Sequence, residues 1–150
     1  MTESAKDLPP DAEQQLHAHA AAGREAWRER GDLAEAERQF LLAWDTIPSP
    51  KIEWDWSGSL AGGFLSFYLE TGQPRKALAW LPRYEELYGD AVDLHMWQGM
   101  VHYELGELEV AFAAFRRAHD AFGYRPFREE DPRYWQFYRG RAASGGAAAP

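Results

Sequence analysis

A chain of 150 residues with a net charge of −8 and no cysteine can bury one sizeable core but can hold neither a disulfide framework nor a thiolate metal site. No stretch approaches the ~18 consecutive apolar residues of a membrane-spanning helix, and MTESAKDLPPD lacks the basic start and apolar run of a secretory signal; a cytoplasmic location is expected. Val, Ile and Thr together number eight while Ala, Leu, Glu and Arg dominate, which predicts an all-α fold.

Residues 1–10, with Pro9 and Pro10, read as a disordered lead-in to a domain over 11–140. A first helix pair is expected at 11–30 and 32–46, with Gly31 supplying the left-handed turn position and Asp32 capping the second helix. Pro48 and Pro50 stop that pair. A second pair is expected at 51–71 and 74–88, where Pro74 sits harmlessly in a first turn but Pro82 falls mid-helix and predicts a kink or a split. A third pair at 92–105 and 107–122 carries Leu108, Ala111, Phe115, Ala118 and Phe122 on one face. The aromatic-rich stretch 124–140 contains Asp131-Pro132, a helix start, and reads as a capping helix; 141–150 reads as a disordered tail.

Three blocks punctuate this order: GDLAEA, GQPRKA and GELEVA, with glycines at 31, 72 and 106, so the intervals are 41 and 34 residues. Phe40, Leu81 and Phe115 stand nine residues after each glycine, and Trp27, Tyr68 and His102 four before. Self-similarity at this period predicts a right-handed α-solenoid of three helical hairpins, at 11–48, 51–88 and 91–123, with a cap at 124–140.

The pattern resembles the tetratricopeptide repeat. Trp27, Gly31, Ala36, Phe40, Ala43 and Pro48 follow the family order in the first unit. Gly99, His102, Gly106, Ala111, Phe115 and Ala118 follow it in the third, whereas the second keeps Tyr68, Gly72 and Ala77 but places Tyr84 at a small-residue position. The resemblance implies that the first helix of each pair lines a concave groove. Its groove positions fall on Ala18, Ala21, Glu25, Arg28 and Glu29, then on Ser59, Gly62, Ser66, Leu69 and Glu70, and then on Asp93, Met96, Met100, Tyr103 and Glu104. Glu29, Glu70 and Glu104 share one register, so an acidic row is expected along the groove.

The implied function is a non-enzymatic adaptor that holds a basic, partly apolar peptide or helix, with the methionines adapting to an apolar side chain. Ala21, Glu25, Ser66 and Met100 stand where chaperone-binding members carry Lys, Arg and Asn, which argues against a carboxylate clamp. The length and the ending FREEDPRYWQFY are similar to small bacterial proteins of this class, some at toxin or secretion loci. An immunity-type inhibitor of a basic toxin is therefore the alternative reading. Trp54 and Trp56 are secondary interface candidates, a structural self-association module is a further option, and the protein is expected to be a monomer or a weak homodimer.

Catalytic and metal chemistry is not expected. Among the five histidines, His17 and His19 diverge on a helix, and His95 and His102 lie two turns apart at packing positions. Glu129, Glu130 and Asp131 suit a helix cap better than acid–base work. There is no Gly-rich phosphate loop, no nucleophile elbow and no cofactor motif. Residues 1–110 carry nine basic and twenty acidic side chains and residues 111–150 seven and four, so the acidic body opposes nucleic-acid binding by Arg125, Arg128, Arg133, Arg139 and Arg141.

Overall fold

Helix boundaries follow the turn residues closely. The computed structural model describes residues 7–145, which form α1 (Pro10–Arg28), α2 (Leu33–Asp45), α3 (Asp55–Glu70), α4 (Pro74–Tyr88), α5 (Val92–Glu104), α6 (Leu108–Phe122) and α7 (Pro132–Ala143), with no strand among the described residues. Positions 1–6 of the expected lead-in and 146–150 of the expected tail lie outside the described residues. Leu8 is buried, and α7 runs three residues beyond the expected end of the cap at 140.

Gly31, Gly72 and Gly106 have φ of 63°, 72° and 80°, the left-handed geometry that lets a chain reverse after a helix at no Cβ penalty. Asp32 accepts a hydrogen bond from the Glu35 amide at 3.1 Å and so caps α2. Asp131 accepts from the Arg133 amide at 3.0 Å and starts α7. Before α3 the chain makes a 3₁₀ turn over Lys51–Glu53, so the helix begins at Asp55 rather than at 51. Lys51 Nζ donates to the carbonyls of Trp44 (3.1 Å) and Ile47 (2.6 Å), tying this turn to the end of α2 and the residues just after it. The expected split at Pro82 does not occur. Helix α4 runs through it, and Pro82 and the residue one turn earlier, Leu78, are both exposed.

The three glycine turns are not identical, and the difference shifts a helix face. The Gln73 amide bonds the Tyr68 carbonyl (2.7 Å) and the Glu107 amide bonds the His102 carbonyl (2.9 Å), each reaching back five residues. The Asp32 amide reaches back six, to Ala26 at 2.8 Å. The first turn thus holds one extra residue, and α1 ends three positions before its glycine where α3 and α5 end two before theirs. One residue is about 100° of helix rotation.

The chain divides into two compact units, the first ending at Phe64 and the second beginning at Leu65, with the division inside α3. In the first unit α1 packs on α2 around Leu8, Leu16, Ala43 and Ile47. In the second unit α5 pairs with α6, α4 packs on α5, and α7 covers the aromatic end of α6. A 3₁₀ turn over Arg125–Phe127 delivers Phe127 into this end, 5.3 Å from the Phe115 ring and 5.7 Å from Tyr138. Each such ring removed from water contributes roughly 1.5–3 kcal/mol before edge and stacking effects. Ala111, Phe115 and Ala118 are buried as the spacing predicts, but Leu108 and Phe122, at the two ends of the same stripe, are 42% and 56% exposed. Tyr84, the large residue at a small position, is buried with its ring 6.4 Å from Trp97.

Candidate binding cleft

Within the second unit, the last turn of α3, the middle of α5 and the start of α7 surround a cleft of about 530 Å3. Its apolar wall is Leu69, Trp97 and Met100. Its polar rim is Glu70, Glu129, Glu130 and Asp131, together with one cation, Arg133. The volume holds a few side chains rather than a whole helix.

Arg133 is already committed. Its Nη2 pairs with Glu104 Oε1, and its Nε lies 3.5 Å from Asp131 Oδ2. Tyr134 donates its hydroxyl to the same Glu104 oxygen at 3.0 Å and packs edge-on against Tyr103, whose ring also meets Phe137. Burial and then the Glu104 carboxylate push the Tyr134 phenol above its ordinary range, so it remains a donor. These contacts fasten α7 to the end of α5 and give shape to one wall of the cleft.

Glu130 has the opposite circumstances. It is half-buried, and no ion pair forms on its carboxylate among the described residues. Burial, and then repulsion from Glu129, Asp93 and Glu70, pushes its carboxyl above the ordinary range. A cation entering the cleft would relieve that repulsion.

The residues expected in the groove are distributed unevenly. Ser66, Leu69, Glu70 and Met100 line the cleft. Met96 is buried in the core, Tyr103 is half-buried behind Tyr134, and Glu104 is held by Arg133 and Tyr134, so it does not stand open as part of an acidic row. Asp93 is exposed and lines a neighbouring cleft.

In the first unit, Glu25 and Glu29 are exposed, and the Arg28 guanidinium lies 3.6 Å over the Trp27 ring. The extra turn residue corrects the expected register. Arg28, the last residue of α1, corresponds to Glu70 and Glu104, the last residues of α3 and α5, whereas Glu29 is the cap beyond the helix. In its own helix register the first unit therefore offers Arg28, not a glutamate, at that position. Trp54 and Trp56 are both partly buried against the core of the first unit, and Trp56 meets His17 edge-on at 4.8 Å, so neither is an exposed anchor.

Sequence reasoning missed Trp97, Glu129, Glu130 and Arg133 as cleft residues. Glu129 to Arg133 come from outside the repeats, and no local spacing marks them as facing α3 and α5. The histidines have ordinary partners: His19 meets Gln39 at 2.8 Å, His95 meets Asp90 at 2.8 Å, His102 meets Glu107 at 2.9 Å and His119 meets Tyr138 at 3.3 Å. Among the described residues no cluster of three or more His, Cys, Asp or Glu is arranged to hold a metal, and no helix is long and apolar enough to cross a membrane. No protein-family model, curated protein or solved structure matches the chain.

Proposed function

We propose that this chain is a tetratricopeptide-like helical-repeat adaptor of the cytoplasm, without catalytic activity, that holds a basic and partly apolar segment of a partner protein. The single observation that carries the reading is the cleft of the second unit, where Leu69, Trp97 and Met100 face a rim containing Glu70 and the uncompensated Glu130. An apolar wall contributes affinity through burial, and the negative charge of the rim selects a cation and speeds its approach. The repeated turns at Gly31, Gly72 and Gly106 support the repeat architecture, since each closes a helix pair with a positive-φ glycine.

The test is a binding titration of the full chain with a short peptide carrying Arg beside Leu, followed by tryptophan fluorescence or calorimetry. Glu70→Lys combined with Glu130→Lys should weaken binding ~10-fold or more, the effect of losing about 1.4 kcal/mol. Unchanged affinity in the double variant rejects the cleft as the site. The immunity-type alternative takes the same chemistry and differs in the partner, a basic toxin whose activity this chain would abolish in an inhibition assay.

A further inference from the structure

Next to the first cleft lies a second one, of about 540 Å3, and Glu129 and Glu130 line both. The two differ in character. The first carries carboxylates around its apolar wall, and its one cation is spent on Glu104 and Asp131. The second offers Val92, Phe122 and Pro126 as apolar surface, with Arg125 and Arg128 beside Asp93. Phe122 is 56% exposed, the largest exposure among the big apolar side chains of the described residues. Arg125 and Arg128 are exposed, and neither forms an ion pair among the described residues.

We infer that the two clefts act as one bipartite surface divided by Glu129 and Glu130, taking a partner segment with a cationic side chain at one end and, at the other, a large apolar side chain beside a carboxylate. This deepens the adaptor reading and rests on it. The cation enters the first cleft; the apolar side chain covers Phe122 and Val92; the ligand carboxylate meets Arg125 and Arg128. The electrostatic surroundings of Glu130 support the shared position, because its carboxyl is repelled by Glu70 of the first cleft and by Asp93 of the second. Glu130 is thus positioned to read the ligand from the ridge between the two. Two weak subsites joined by one backbone bind more tightly than either alone, since the second contact forms at a high effective concentration.

The test uses the full chain and two peptide sets. One carries only Arg-Leu. The other joins Arg-Leu to Phe-Asp through Gly-Ser linkers of roughly two to six residues, to sample the reach between the clefts. The joined peptide with the best linker should bind ~10-fold tighter than Arg-Leu, about one 1.4 kcal/mol step. Arg125→Gln with Arg128→Gln should remove that gain and leave Arg-Leu binding unaltered. Both positions are exposed, so the fold is not at stake. Binding of Arg-Leu with no gain at any linker length overturns the bipartite surface and leaves the adaptor reading standing. Binding of neither set overturns both.

Discussion

The ring edge of Phe115 stands where a side chain on Gly99 would begin: a Cβ built on Gly99 would lie 2.4 Å from the ring carbons Cδ1 and Cε1. Gly23 and Phe40 repeat the relationship in the first hairpin, again at 2.4 Å. Both pairs join the two helices of a hairpin, so the missing side chain lets α5 approach α6 and α1 approach α2.

Gly99→Ala should therefore destabilise the protein. Overpacking costs about 1–3 kcal/mol and outweighs the gain of at most ~1 kcal/mol from removing a helical glycine. Gly140 is also helical but has nothing within 4 Å of a built Cβ, so Gly140→Ala should stabilise by about 0.5–1 kcal/mol. Urea unfolding separates them. Midpoints that move in the same direction would contradict the close-approach account.

Tyr134→Phe removes the hydroxyl that reaches Glu104, a donor to a partly buried carboxylate, and should cost about 1–2 kcal/mol. Arg133→Ala should cost less, about 0.2–1 kcal/mol, because that side chain is 48% exposed and water screens the pair. A double-mutant cycle between Glu104 and each partner, measured by denaturant, ranks the two. A Tyr134–Glu104 coupling near zero would show that the hydroxyl does not anchor α7.

Glu130 makes a pH-dependent prediction. Its carboxyl is raised in the folded chain, so its ionised form is penalised there. That penalty is absent below the ordinary carboxyl range, grows as pH rises toward the folded value, and is complete above it. Glu130→Gln should raise the thermal midpoint at neutral pH, and the advantage should vanish in acid. The same variant should bind the Arg-Leu peptide more weakly, so stability and affinity move in opposite directions. A variant that loses stability at neutral pH would show that the carboxylate has a structural partner.

Glu35 titrates the other way. Arg38 donates to both of its oxygens, at 2.6 and 3.0 Å, and Gln39 adds a third bond at 3.0 Å, which holds its carboxyl down at about 2. A lowered carboxyl stabilises the fold above the ordinary range and loses that contribution as pH falls toward 2. NMR titration should find the Glu35 midpoint near 2, moving toward the ordinary value of ~4.3 in Arg38→Ala. A midpoint that ignores Arg38 would reject the bidentate pairing.

Local chemistry was legible where one residue decides one geometry. Gly31, Gly72 and Gly106 announce the turns, Asp32 and Asp131 announce the caps, and the apolar spacing of α6 announces its buried middle. Pro82 was legible as a strain on α4 but not as its end: the helix continues through it. The acidic row misled for a subtler reason. Equal spacing from a glycine gives equal facing only if the turns are equal, and the first turn holds one more residue.

By itself the chain's order of residues determined that helices form, where they reverse and which stripes are apolar, since these depend on backbone preference and on neighbours a few positions away. Tertiary structure decided which carboxylates stand open. Arg133 and Tyr134 arrive from the far end of the chain to engage Glu104, while Glu130 arrives with them and is paired by nothing that α7 brings. Distance along the chain carries no record of which side chain will arrive beside which charge, because that is settled only when α7 packs onto α5 and α6.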